Sequence, residues 1–236
     1  MKIVVVLRAV RDPASFTVNR RAEKIFIHRD EFICNPADLN ALEAGLRLPD
    51  SEVTAVACGG AAAEDVLRMA RALGASRAVL VEADELQSAE AGRVTEALLG
   101  AVSAIEPVDL VLLGDEVLDG DSAQVGPRLA QALGWPFVES AWQIERMDDG
   151  GVKAIVRAGD GYRALGAGLP AVVSVARDSN RVRYAPAGRV ITHFREAEAI
   201  EKMSLQGLGL DWTSAPPQCV TLGETYPPER KLGEVL

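Results

Sequence analysis

The sequence predicts an α/β protein whose mostly parallel β-sheet is covered by helices on both faces. Apolar runs without polar alternation, such as "KIVVVL" and "DLVLLG", are typical of strands buried on both faces. They alternate with amphipathic segments of about ten to fifteen residues, as expected for helices that connect parallel strands. We therefore expect a Rossmann-like sheet built from successive strand–helix units.

The predicted elements follow one another in regular order over about the first 140 residues. The strands are expected at "KIVVVL", "EVTAVAC", "RAVLVE" and "DLVLLG". The helices are expected at "ADLNALEAGLRL", "AAEDVLRMARALG", "AEAGRVTEALLGAVSAI" and "DSAQVGPRLAQALG". Each strand thus leads into a helix, which is the pattern of a doubly covered parallel sheet.

The pattern changes after this region. In "AWQIERMDDGGVKAIVRAGDGYRAL" the letters "DDGG" separate two extended runs, which predicts an antiparallel hairpin joined to the sheet or packed beside it. "LPAVVSVA" predicts one more buried strand. Beyond about Ala185, Pro, Gly and polar residues surround a single predicted helix, "HFREAEAIEKMSL". We expect an α/β domain at 1–184 and, at 185–236, a segment with little core that packs on another subunit.

Composition excludes several functional classes. The formal net charge of −9 and the absence of a basic block argue against a nucleic-acid partner. Cys34, Cys58 and Cys219 are widely spaced, and only His28 and His193 accompany them, so neither a zinc site nor a disulfide framework is predicted. This cysteine usage fits a reducing cytoplasm. The apolar run in "MKIVVVLRAVRD" is too short for a signal peptide or a membrane span.

Neither a catalytic residue nor a metal ligand is predicted. The two histidines lie in different contexts, and neither is near a nucleophile motif such as GxSxG, so both are interpreted as structural or surface residues. Cys58 ends a predicted strand in "AVACGGAAAEDV", where small residues let a ligand approach the backbone. It is either a small core residue or part of a ligand site, and both roles are compatible.

Two loops are the best candidates for ligand binding. "CGGAAAED" and "GDEVLDGDSAQVG" follow parallel strands and precede helices, whose N-terminal N–H groups can hold a phosphate without Lys or Arg. The second loop carries four acids: Asp115, Glu116, Asp119 and Asp121. Asp119 or Asp121 can cap the next helix, and spare acids can accept hydrogen bonds from ribose hydroxyls. The pattern predicts an adenine-nucleotide site, and the alternative is that all four acids are caps and solvated loop residues.

At these residues the chain resembles the beta subunit of the electron transfer flavoproteins. The motifs that agree, in order, are "VVVLRAVRD", "CNPADLNALEAGLRL", "AVACGGAAAEDVLRMARALGASRAVLV", "PVDLVLLGDEVLDGDSAQVGPRLAQALGWP" and "LPAVVSVARDSNRVRY". The resemblance implies a flavodoxin-like or HUP-type (adenine nucleotide alpha hydrolase) fold and a heterodimer with an alpha subunit that holds a redox-active FAD. It also implies that 185–236 is a partner-recognition segment with an extended C-terminal arm. The nucleotide contacts it implies are Val6, Asn35, Cys58, Val117, Asp119, Ser122, Ala123, Gln124 and Val125.

The family has two types of nucleotide loop. One type binds AMP with a loop like "DDDxNQTG", and the electron-bifurcating and Fix-like type binds a second FAD with a loop like "DGDTAQVGP". Residues 119–127 read "DGDSAQVGP", in which Ser122 replaces Thr and keeps the hydroxyl. FAD is therefore the expected nucleotide and AMP the alternative. With FAD bound, the resemblance implies hydride exchange with NADH and an acyl-CoA-type or other dehydrogenase as redox partner.

The sequence also departs from the family and leaves two other functions open. The loop after Tyr184 lacks the family's usual Leu, which aligns at Ala187, so the dehydrogenase partner is not specified. A nucleotide-sensing stress-protein-like module would use the same fold but has no need of the long tail. An adenylating enzyme would need a Gly-rich loop with Lys or an SGGxD-like loop, and neither occurs.

Overall fold

The computed structural model describes residues 1–118, 123–148, 150–195 and 200–212. The strands in these ranges are β1 (Lys2–Leu7), β2 (Ala9–Arg11), β3 (Phe16–Asn19), β4 (Lys24–Ile27), β5 (Phe32–Cys34), β6 (Glu52–Gly59), β7 (Arg77–Glu82), β8 (Leu110–Gly114), β9 (Phe137–Arg146), β10 (Val152–Ala158), β11 (Gly161–Ala167), β12 (Ala171–Val175) and β13 (Glu201–Ser204). The α-helices are α1 (Pro36–Arg47), α2 (Ala61–Leu73), α3 (Ala91–Ile105), α4 (Val125–Leu133) and α5 (Ala187–Arg195).

A nine-stranded sheet organises the fold. Its strand order is β11-β10-β9-β12-β8-β1-β6-β7-β13. All neighbours from β9 to β13 pair in parallel, whereas β10 and β11 pair antiparallel at one edge. The predicted fold class, a mostly parallel sheet with helices, is confirmed.

The central strand β1 contributes side chains to two separate cores. Ile3, Val5 and Leu7 lie in a cluster that includes residues of α1 and α2, whereas Val4 and Val6 lie in a cluster that includes residues of α3 and α4. Successive side chains of a strand point to opposite faces, so helices cover both faces of the sheet. Full burial of one such side chain stabilises the fold by about 1.5–3 kcal/mol. This is why the strand runs lack polar alternation.

The predicted hairpin is confirmed, and a further strand extends it. β9 and β10 pair antiparallel on either side of the "DDGG" turn, and β11 pairs antiparallel with β10. The backbone N–H of Met147 donates to the carbonyl of Gly151 at 2.9 Å, which closes the first turn. All three strands belong to the main sheet.

The prediction of a helix over "HFREAEAIEKMSL" is wrong in its bounds. The helix α5 begins at Ala187 and ends at Arg195, and β13 follows as a strand parallel to β7. The side chain of Glu201 forms an ion pair with that of Arg77 of β7 at 2.7 Å. The partly buried Met203 packs against the core on the α3 side. Pairing with the edge of an existing sheet therefore overrides the helical pattern. The expected C-terminal arm lies outside the described residues.

Two small sheets precede α1. β2 pairs with β5, and β3 pairs with β4 as a hairpin outside the main sheet.

Among the helices of the described ranges, none is long and apolar enough to cross a membrane.

Candidate functional site

A cleft opens at the carboxyl ends of β1, β6 and β8, between these strands and the helices α3 and α4. Its empty volume is about 540 Å³, part of which is open to solvent. It is lined by Val6, Leu7, Arg8, Asp38, Cys58, Leu86, Val94, Leu98, Leu113, Gly114, Val117 and Val125. This is the position where parallel α/β sheets hold their ligands.

Of the predicted nucleotide contacts, four line this cleft. They are Val6 from β1, Cys58 from β6, Val117 from the loop after β8, and Val125 at the start of α4. These residues are up to 119 positions apart in the chain and converge because neighbouring parallel strands end at one edge of the sheet. Asp119 and Ser122 lie outside the described residues.

Ala123 and Gln124 are exposed and stand outside the lining of the cleft. Gln124 is the N-cap residue of α4, and its Oε1 accepts hydrogen bonds from Arg128 Nε at 3.2 Å and Nη2 at 3.0 Å. The helix α4 therefore begins four residues later than the start of the predicted segment "DSAQVGPRLAQALG", and the predicted capping by Asp119 or Asp121 lies outside the described residues. A helix beginning directly after Asp121 would place Pro127 at its sixth position, where the ring would clash with a carbonyl of the preceding turn.

Asn35 lies beneath the loop that borders the cleft. Its side chain is buried, with 1% of the residue exposed, and Nδ2 donates to the backbone carbonyl of Glu116 at 2.8 Å. Because the amide is used in this contact, it holds the loop after β8 against the start of α1. The structure thus gives Asn35 a positioning role for that loop.

Asp38 joins the two strands that form the floor of the cleft. Its Oδ2 accepts from the backbone N–H of Arg8 at 2.9 Å, after β1, and its Oδ1 accepts from the backbone N–H of Gly114 at 2.8 Å, at the end of β8. A Cβ atom at Gly114 would stand 2.6 Å from the Cβ of Ala37, so only glycine fits this approach of α1 to β8. Burial raises the pKa of Asp38 to about 7, against hydrogen bonds that lower it.

Two of the four loop acids hold the loop in place. Asp115 accepts hydrogen bonds from the hydroxyl of Ser140 at 2.6 Å and from the backbone N–H of Arg177 at 3.1 Å. Glu116 forms an ion pair with the side chain of Arg177 at 2.9 Å. These contacts fix the loop to β9 and to the segment after β12. The surplus of acids in this loop is therefore partly structural.

The described lining of the cleft contains one basic and one acidic side chain, Arg8 and Asp38. The positive charge of Arg8 acts on both Cys58 and Asp38. Burial raises the pKa of Cys58 to about 12, so the thiol stays protonated at neutral pH and forms part of the apolar wall. The described residues contain no cluster of His, Cys, Asp and Glu that could hold a metal ion.

Comparison with known proteins identifies the family. The Electron transfer flavoprotein domain matches residues 24–201, a range that spans the strands and loops around most of the cleft. The chain belongs to the electron transfer flavoprotein family. Its function is electron transfer, and the resemblance to the family's beta subunit and to FixA is confirmed by named relatives.

Three relatives of this electron transfer flavoprotein chain illustrate the match. It is 29% identical to the Caffeyl-CoA reductase-Etf complex subunit CarD of Acetobacterium woodii, covering 100% of this chain and 92% of that protein. It is 35% identical to Protein FixA of Azorhizobium caulinodans, covering 78% and 68%. It is 32% identical to the Electron transfer flavoprotein subunit beta of Megasphaera elsdenii, covering 78% and 72%.

Sequence reasoning missed several residues of the cleft in this electron transfer flavoprotein. Arg8 and Asp38 were not singled out, nor was the apolar wall of Leu86, Val94 and Leu98. Asp38 carried a signal, because it lies three and four positions before the buried Ala41 and Leu42, on the core face of α1. A carboxyl group buried on such a face needs hydrogen-bond donors that are also buried.

Proposed function

We propose that this beta-type chain binds FAD in the cleft and pairs with an FAD-containing alpha subunit to pass electrons between a dehydrogenase or NADH and an acceptor. The observation that carries the proposal is the cleft itself. It brings Val6, Cys58, Val117 and Val125 together at the carboxyl edge of the sheet, next to the start of α4.

The surroundings of the cleft suit the phosphate groups of a nucleotide. The first N–H groups of α4 have no partner within their own helix, and the positive end of the helix dipole favours an anion. The side chain of Gln124 makes no capping bond to these N–H groups. Arg8, which follows β1, adds a positive charge to the lining of the cleft. This charge would attract an anion that binds at the start of α4.

The choice of FAD over AMP rests on the loop at residues 119–127. Its "DGDSAQVGP" pattern resembles the FAD-binding type of the family. AMP remains the second candidate nucleotide. The flavin, when bound, supplies hydride and single-electron chemistry. The chain's own residues bind and orient the nucleotide, and its apolar walls exclude water.

The partner proposal extends the same reasoning. We propose an alpha subunit as the stable partner and an acyl-CoA-type or other dehydrogenase as the redox partner, in the cytoplasm. The Acetobacterium relative is named as a subunit of a caffeyl-CoA reductase-Etf complex, which supports this class of redox partner.

Analysis of the released ligand tests the proposal. The chain is co-expressed with the alpha subunit of its source, the complex is purified and denatured, and the released small molecules are identified by mass spectrometry. Two FAD per heterodimer are expected, and one FAD with one AMP would support the second candidate. A complex that releases no adenine compound beyond the alpha-subunit FAD would contradict nucleotide binding by this chain.

A further inference from the structure

The β3–β4 hairpin has one apolar face and one mainly polar face. In its antiparallel register Phe16 lies opposite Ile27, and Val18 lies opposite Ile25. Directly opposed residues share a face, so one face of the hairpin consists of Phe16, Val18, Ile25 and Ile27. We call these four residues the hairpin face. The other face carries Thr17, Asn19, Lys24 and Phe26.

The hairpin face is open to solvent. Val18 is 45% exposed, Ile25 61% and Ile27 56%, although each is a large apolar residue. The hairpin pairs with no other strand of the described residues. An isolated two-stranded sheet is marginal in water, and clustered apolar side chains on a surface mark an interaction site. Among the described residues, the hairpin face therefore has no partner.

The hairpin also carries positive charge on a negatively charged protein. Between residues 16 and 29 there are four basic side chains and one acidic side chain, whereas the whole chain has a formal charge of −9. Arg20, Arg21 and Lys24 are exposed, and none of them pairs with a carboxylate of the described residues. The apolar surface thus lies beside a group of available cations.

We propose that the hairpin face docks the alpha subunit, at a surface with an apolar centre and an acidic rim. This inference rests on the proposed heterodimer and assigns part of its interface. The proposed heterodimer supplies the occupant, and the cations at the hairpin tip suit a partner surface with carboxylates at its rim, while the apolar centre supplies the affinity. An alternative occupant, an anionic bilayer, is disfavoured because the rest of the chain is acidic and would be repelled.

A matched pair of variants in β4 tests the assignment. Ile25→Ser combined with Ile27→Ser removes two apolar side chains from the hairpin face, and Phe26→Ser removes one from the opposite face of the same strand. Phe26 is 46% exposed, so its loss is a fair control for general surface polarity. We expect the double variant to bind the purified alpha subunit at least about tenfold more weakly, and the control to stay within about threefold of wild type.

Circular dichroism and bound-nucleotide content report on folding in the same samples. Both are expected to match wild type, because the hairpin lies outside the main sheet and the altered side chains are exposed. A second variant, Arg20→Glu with Arg21→Glu, is expected to slow association about tenfold at low salt and to reduce its salt dependence. This variant tests the charge argument even where the apolar substitutions perturb the hairpin.

The outcomes separate this inference from the proposed function. Wild-type chain that fails to bind the alpha subunit contradicts the heterodimer and, with it, the docking assignment. Wild-type binding that the double variant retains in full contradicts the docking assignment alone. The assignment is also wrong if the double variant keeps the alpha subunit but loses self-association in light scattering or loses binding to vesicles containing phosphatidylglycerol. Those results would assign the hairpin face to a second copy of the chain or to a bilayer.

Discussion

The carboxylate of Asp38 accepts a hydrogen bond of 2.8 Å from the backbone N–H of Gly114. Its second oxygen accepts from the backbone N–H of Arg8 at 2.9 Å, so one side chain from α1 links the ends of β1 and β8. Gly114 leads directly into the acidic loop that borders the cleft. The shape of the candidate nucleotide site therefore depends on a residue whose main contacts are with the protein backbone.

Replacement of Asp38 is expected to damage both stability and nucleotide binding. Asp38→Ala leaves the buried N–H groups of Arg8 and Gly114 without acceptors, at a cost of about 1–3 kcal/mol for each group. Urea unfolding measures the stability loss, and the released ligand measures nucleotide content. Asp65→Ala serves as the control, since Asp65 lies near the start of α2 but is exposed. Equal behaviour of the two variants would contradict the role given to Asp38.

The titration of Asp38 predicts a specific pH dependence. Burial raises its folded-state pKa to about 7, whereas the unfolded carboxyl titrates near about 3.9. The folded protein thus binds this proton more tightly, and the stability this gives is present below about pH 4 and is lost as pH rises to about 7. The unfolding free energy of wild type minus that of Asp38→Asn should fall by up to about 4 kcal/mol over this range and then level off. A difference that rises with pH would contradict this prediction.

The thiol of Cys58 should resist alkylation in the folded protein. Burial raises its pKa to about 12, so the reactive thiolate is scarce at pH 7.5. Iodoacetamide labelling of Cys58, followed by peptide mass mapping, should be at least about 100-fold slower in native buffer than in denaturant. The control is the same peptide in urea. Comparable rates in the two conditions would show that the cleft does not bury this thiol.

Glu43 is expected to hold the segment before α5 against α1. Its side chain is 3% exposed and accepts hydrogen bonds from Arg183 Nε at 2.7 Å and Arg47 Nε at 2.6 Å. Burial opposes ionisation, but the hydrogen bonds from Arg183 and Arg47 outweigh it and lower the pKa of Glu43. Glu43→Gln should lower the free energy of unfolding by about 1.5–3 kcal/mol at pH 7, as measured by thermal or urea unfolding.

The pH dependence of this variant follows from the same shift. A lowered folded pKa means that the stability from Glu43 is present above about pH 4.5 and is lost as pH falls through the folded value. The difference between wild type and Glu43→Gln should therefore shrink in acid. Glu145→Gln is the control, because Glu145 forms an exposed ion pair with Lys153 and should cost less than about 1 kcal/mol. An equal loss of unfolding free energy in both variants would contradict the role of Glu43 in holding this segment against α1.

Local sequence patterns were sufficient for the elements whose burial is uniform. The strand runs and the helices α1, α2 and α3 were predicted close to their observed positions, because each shows either continuous apolar residues or one apolar face. The helix α4 begins later than the sequence pattern predicts, because the acids of the loop resemble a cap while Pro127 favours a start close before itself. The strand β13 was missed, because four residues such as "EKMS" become a strand only when an edge of the sheet is available.

The sequence by itself determined the α/β class, the two loops that border the cleft and the family of the chain, because strand periodicity, loop composition and ordered motifs are local properties. Only the tertiary structure decided that Arg8, Asp38 and the wall from α3 complete the cleft. It also decided that Asn35, Asp115 and Glu116 hold the loop, through partners up to 81 positions away. The physical reason is that hydrogen-bond pairing and burial depend on which distant backbone atoms the folded sheet brings within about 3 Å of each side chain.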